Sequence, residues 1–287
     1  MTVRGHDLRE RLETLIATQD VNTRRASDPV SFVHRYADPD DQEVVGLIAS
    51  SLAFGNVTAI RRSVERALGS LGRHPARTIR RGPKELNRRL DGFVHRVYRG
   101  PHLAAMLHHA ARLRRRHGTL GSAFAQSLDT HGDLREALSE FADSLRGSNA
   151  PRGLRHLVPN PRAGSACKRL LLYLRWMVRP ADGIDLGLWN VSPSVLVIPV
   201  DTHIHRISTN LGLTTRKDAS WRTAEEITQA LRRLDSDDPV RYDFALCHLG
   251  VSRECPSRRS SEKCATCVLK SVCLQWRSRI DVSARRR

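Results

Sequence analysis

Apolar residues recur along this chain at three- and four-residue spacing, the mark of helices that bury one face. The pattern predicts helices over about 6–19, 41–53, 57–71, 101–117, 133–145, 165–178, 202–210, 221–234 and 239–250. Start signals agree: "DPDDQE" stands before Val44 and "SDDP" before Val240, each offering an Asp to a first helical turn. Strand-like alternation is weak, since "VLVIPV" is short and Pro199 interrupts it. No internal repeat is visible. The stretch 147–164, "GSNAPRGLRHLVPNPRAG", is rich in Gly, Pro and Asn and makes the clearest break; a second soft region follows Trp276. The pattern predicts an all-α protein.

Charge adds a partner class. The 287 residues carry 48 Lys and Arg against 30 Asp and Glu, a net charge of +18. Only five of the basic residues are lysine: Lys84, Lys168, Lys217, Lys263 and Lys270. An excess of this size on a folded chain is the electrostatic footprint of a polyanion binder, with nucleic acid first and a membrane surface second. The apolar run from Val44 to Phe54 is too short to span a bilayer, and "MTVRGHDLRERLETL" contains no signal-peptide stretch. These features point to a cytoplasmic protein, where cysteines stay reduced and serve as metal ligands more often than as bridges.

Four of the six cysteines, Cys255, Cys264, Cys267 and Cys273, fall within "CPSRRSSEKCATCVLKSVC" at gaps of eight, two and five residues. A structural zinc site usually takes two close pairs of ligands. One close pair with two single cysteines suits the corners of a [4Fe–4S] cubane better, and zinc is the alternative. Cys167 and Cys247 lie in apolar helical contexts and read as core thiols. Arg258, Arg259 and Lys263, between the ligands, form a basic patch suited to phosphate contacts.

The segment "VIPVDTHIHR" ends an apolar run on Asp201. Asp at that place caps a helix by accepting amide hydrogens, and a fixed, half-buried carboxylate is also suited to chemistry. His203 and His205, two apart on a helix, do not share a face and do not chelate together. His203 is expected near the cap, and His205 with Arg206 in solvent. Lys168 is expected about one turn into a helix starting near Ser165, beside Arg169 and "LLLYL". Trp176, Trp189 and Trp221 are expected in the core.

The order of "VDTHIHR", a helix pair, "DFALCHLGVSRECPSRR" and a terminal four-cysteine loop resembles the endonuclease III branch of the helix-hairpin-helix DNA glycosylases. The first cysteine gap is two residues longer than in that branch. Upstream, "VVGLIASSLAFGNV" resembles its first barrel helix and "DGFVHRVYRG" its glycine-led approach to a helix. The blocks "GSACKRL", "ADGIDLGLW" and "PVDTH" also resemble a family of uncharacterised bacterial proteins. "PNPRAGSACK" stands where the glycine-flanked hairpin would be, and "ADGIDLGLWNVSPS" lengthens the gap from Lys168 to Asp201.

The resemblance implies a helical-barrel domain over 28–190 and a smaller helical domain, 1–27 with 191–287, carrying the [4Fe–4S] loop. It implies a monomer acting in the nucleoid on damaged double-stranded DNA, as a glycosylase with or without abasic-site lyase activity. In that role Asp201 assists loss of the base, Lys168 attacks the sugar C1′, and the target nucleotide is flipped into a cleft between the domains. A catalytically inactive iron–sulfur protein that binds nucleic acid is the alternative, and a redox-sensing cluster protein is a third class.

Overall fold

The computed structural model describes residues 3–277, and those residues are mostly helical. The chain divides into two compact units, Val21–Val195 and a discontinuous unit built from Met1–Asp20 with Leu196–Arg287. Helix α1 (Val3–Thr18) belongs to the discontinuous unit. The continuous unit holds α2 (Val21–Ser27), α3 (Pro39–Ser51), α4 (Val57–Leu71), α5 (Pro75–Thr78), α6 (Pro83–Arg89), α7 (Gly100–His117), α8 (Leu120–His131), α9 (Leu134–Arg146), α10 (Arg152–Leu157) and α11 (Lys168–Val178). The discontinuous unit resumes with α12 (Thr202–Leu211), α13 (Trp221–Arg232), α14 (Asp243–Val251), α15 (Ser261–Ala265) and α16 (Leu274–Arg277). No helix among the described residues is long and apolar enough to cross a membrane.

The core of the continuous unit forms where α3 packs on α11. Val44, Val45, Leu47 and Ile48 on α3 are buried, as are Tyr173, Trp176 and Met177 on α11. Within it lies one buried acid, Glu43, which accepts hydrogen bonds from the Gly121 amide, the Trp189 indole and Arg114 Nε at 2.9, 2.9 and 3.0 Å. A carboxylate taken out of water must be satisfied in this way or its burial is costly. The arrangement also explains Gly121, because a Cβ there would come within 2.5 Å of the Trp189 ring. Trp189 stacks on Phe124 and meets Phe141 and Tyr173 edge-on. The segment before it is fixed by a second buried acid, Asp185, held by Arg175 at 3.2 Å and by Arg179.

Three sequence expectations need correction here. "DGFVHRVYRG" does not lead straight into a helix. It forms a β-hairpin, β1 (Val94–His95) antiparallel to β2 (Tyr98–Arg99), before Gly100 opens α7. The sequence carries the reason, since Phe93, His95, Tyr98 and Gly100 point inward while Val94, Arg96, Val97 and Arg99 point outward. The sequence pattern does not predict helix α8; its Gly and Ser residues dilute the helical pattern, although Thr119 caps it by accepting the Ser122 amide at 2.9 Å. Third, α11 begins at Lys168 and not near Ser165, because Cys167 takes left-handed backbone angles, φ 47° and ψ 31°.

In the discontinuous unit Trp221 is buried, and Ile198 N donates to Thr228 Oγ1 at 3.0 Å. Glu13 of α1 accepts from the Tyr242 hydroxyl at 2.7 Å and from Arg241 at 3.1 Å, tying the N-terminal helix to the turn before α14.

Candidate metal centre and catalytic carboxylate

Asp201 stands in extended backbone immediately before α12, and one oxygen, Oδ1, accepts the amides of His203 and Ile204, both at 2.9 Å. This is the expected cap. The other oxygen, Oδ2, meets the Cys247 thiol at 3.8 Å. Cys247 is therefore half-buried beside the carboxylate and not a deep core thiol. Helices α12 and α14 come close enough here that a Cβ on Gly250 would lie 2.6 Å from His203, so His203 packs beside the cap. The carboxylate sits at the positive end of α12, where a negative charge is favoured.

Further along α12 the expectation of an exposed His205 and Arg206 fails. Both are half-buried. His205 Nε2 lies 2.9 Å from the Arg216 carbonyl. Arg206 turns to the cysteine loop and donates to Cys255 Sγ at 3.2 Å, to Cys255 O at 2.9 Å and to Pro256 O at 2.9 Å. The same loop is fastened to α14 by the Cys255 amide, which donates to Leu249 O at 2.8 Å. Arg206 lies five residues after Asp201, and only its place on the same short helix could have marked it in the sequence.

The four cysteines come together. Cys255 follows α14, Cys264 lies on α15 behind a Ser260 cap, Cys267 follows α15, and Cys273 ends a 3-10 turn. Their side chains line one pocket, with Ile207, Leu211, Leu249 and Leu269 supplying apolar walls. Burial pushes the Cys255 and Cys267 thiols up, the neighbouring thiols push the same way, and Arg206 draws Cys255 back down. Four cysteines lining one pocket are the donor type that a thiolate-ligated group takes. Among the described residues no group of three or more His, Cys, Asp or Glu is close enough to hold a metal ion.

The three basic residues expected to contact phosphate are in different situations. Arg258 is exposed. Arg259 lies over the Trp276 ring at 3.8 Å, with Lys270 over the same ring at 4.5 Å. Lys263 Nζ donates to the Arg253 carbonyl at 3.0 Å. Trp276, three residues past Cys273, was not singled out by the sequence, yet it lines the cysteine pocket.

Lys168 belongs to the continuous unit, whereas Asp201 and the four cysteines belong to the other. Its half-buried amine donates to the Ala53 carbonyl at 3.4 Å. Arg169 is buried and turned to the Tyr98 hydroxyl and the His156 carbonyl. Burial lowers Arg169 to about 10 and pushes the Cys167 thiol up to about 12.

Searches of curated proteins and of solved structures gave no match to this chain. The match that does exist overturns the resemblance to the endonuclease III branch of the helix-hairpin-helix DNA glycosylases. It covers residues 28–252, so it ends before Cys255, and it indicates no glycosylase family. The motif that carried the resemblance, an Asp before a helix, is a cap that unrelated helices share, and the "DGFVHRVYRG" segment folds as a hairpin. Residues 28–252 match the model of the family described as protein of unknown function (DUF2400), and the chain belongs to that family.

Proposed function

We propose that the protein is a DNA-binding iron–sulfur enzyme that breaks an N-glycosidic bond to a damaged base, with Asp201 as the catalytic carboxylate. The observation that carries this reading is the division of labour within that carboxylate. Oδ1 is held by two backbone amides, while Oδ2 meets only a weak thiol donor among the described contacts. Loss of a base builds positive charge on the sugar, and a preorganised anion stabilises that charge without having to reorient. The net charge of +18 supports a polyanionic substrate.

Cys255, Cys264, Cys267 and Cys273 would hold a [4Fe–4S] group, since all four line one pocket and one close pair with two single cysteines suits the corners of a cubane. Such a group, when bound, staples the C-terminal loop. Arg206 holds that loop against the helix that Asp201 caps. Lys168, as the chain's candidate amine nucleophile, would supply a lyase step: its amine attacks C1′ as the base leaves, the opened sugar stays bound to it as a Schiff base, β-elimination expels the 3′ phosphate, and water then hydrolyses the imine to free the amine. Zinc in the same pocket is the other occupant the donor set allows.

Anaerobically purified protein is expected to carry about four irons per chain; one zinc and no iron would reject the cluster. Base release is assayed on a panel of lesion-bearing duplexes, with Asp201→Asn beside the parent. Release by the parent that is lost in Asp201→Asn supports the enzyme. Salt-dependent binding with no release on any lesion makes the protein a nucleic-acid binder without this chemistry. Borohydride trapping of an adduct that Lys168→Ala abolishes identifies the lyase nucleophile.

A further inference from the structure

The described residues expose five large apolar side chains, and two of them share one hairpin, Val94 at 42% and Val97 at 58%. Val94 and Val97 stand on the outward face of the hairpin, whose two-residue tip is Arg96–Val97. The Arg96 guanidinium lies 4.7 Å from the centre of the Phe54 ring, which brings the hairpin tip and the loop after α3 into one surface. Arg99 and Arg66 border it, Arg66 donating to the Val94 carbonyl. The patch is thus apolar at its crest and ringed by three arginines.

The patch is also braced. His95, buried beneath it, lies 2.9 Å from Ser63 Oγ and 3.2 Å from the Phe54 carbonyl, joining hairpin, α4 and loop. At the tip Arg96 takes φ 53°, a conformation for which Gly is the ordinary choice. Folding stability alone favours Gly at that position.

We propose that this hairpin is a wedge that enters stacked DNA, with Val97 inserted between adjacent bases and Arg66, Arg96 and Arg99 gripping the flanking phosphates. Single apolar side chains inserted at a base step unstack it, and arginines beside them repay the deformation through phosphate contacts. A protein partner fits less well. Stable protein interfaces engage about 20–30 residues a side, and here two exposed apolar side chains lie among arginines. Each guanidinium has donors beyond the contacts it makes within the chain. The inference rests on the DNA-binding part of the reading above and names where that contact is made.

The test uses the full chain carrying Asp201→Asn, so that no turnover intervenes, and a duplex with 2-aminopurine at a central step. Binding is expected to raise 2-aminopurine fluorescence. Val97→Ser should abolish the rise and weaken binding about fivefold or more with an unchanged salt slope, because the phosphate contacts remain. Val97→Leu should restore the rise. Tight binding with a fluorescence rise unaffected by Val97→Ser overturns the wedge and leaves the enzymatic reading standing. A Val97-dependent rise together with no base release by the parent keeps the wedge and rejects the enzyme. No binding at low salt rejects both, and capture of an acidic peptide on the same patch would then identify a protein surface.

Discussion

Helices α11 and α12 carry the two candidate catalytic residues and begin in opposite ways. Before α12, Asp201 is in extended backbone and its side chain satisfies two first-turn amides. Before α11, Cys167 is left-handed, makes no side-chain cap bond and is followed at once by Lys168. In α12 the capping residue and the candidate catalytic residue are one, so stability and chemistry draw on different oxygens of the same carboxylate. In α11 the two are neighbours, and the backbone turn at Cys167 sets where the Lys168 amine emerges. A capped start is a stable platform that needs no help. A left-handed start persists only because its surroundings hold it, and Cys167 is accordingly buried.

The largest effect expected from this comparison is on activity. Asp201→Asn keeps an acceptor at the cap but removes the charge on Oδ2, so base release should fall about 100-fold or more while the melting temperature barely moves. A parallel loss of both would mean that Asp201 is only a cap.

A pH series separates the two starts next. Burial raises the Cys167 thiol from its ordinary 9.0 to about 12. The unfolded chain ionises this thiol at a lower pH than the folded chain does. The stabilisation is therefore fully present below pH 9 and is lost as pH rises towards 12. Denaturant midpoints measured from pH 8 to 11 should fall less steeply in Cys167→Ala than in the parent. Identical slopes would show that the thiol reaches water in the folded state. A smaller cost belongs to Asp201→Ala, about 1 kcal/mol from the lost cap, with denaturant unfolding as the measure.

The same contrast explains what the sequence made legible. Asp before a periodic apolar run is a chemical signal for a helix start, and α12 begins where the pattern placed it, at residue 202. Nothing in "GSACKRL" marks Cys167 as left-handed; Gly164, three residues earlier, also has positive φ and is the type that sequence rules look for. The sequence pattern accordingly places the start of α11 about three residues early. The hairpin at 94–99 was obscure for a related reason, since its tip uses Arg–Val where turn rules expect Gly or Asn. In the cysteine loop the ligand candidates were legible from residue type and spacing. Arg206, Cys247 and Trp276 were not, because their roles arise from contacts that span 49, 46 and 17 residues of chain.

The finest test compares Gly and Ala at position 167. At an ordinary helical position Gly is less stable than Ala by about 0.5–1 kcal/mol, from backbone entropy alone. At Cys167 both replacements lose the buried thiol, and Gly also loses a buried carbon worth about 0.8 kcal/mol. Against this, Gly removes the left-handed penalty of about 1–2 kcal/mol that Ala retains. The two sides nearly cancel, so Cys167→Gly should match Cys167→Ala to within about 0.5 kcal/mol. A deficit of 1 kcal/mol or more for Gly, about what an ordinary helix interior would show, would mean that the left-handed turn is not populated in solution. The first turn of α11 would then extend back towards Ser165, and the Lys168 amine would emerge from a different point on the helix.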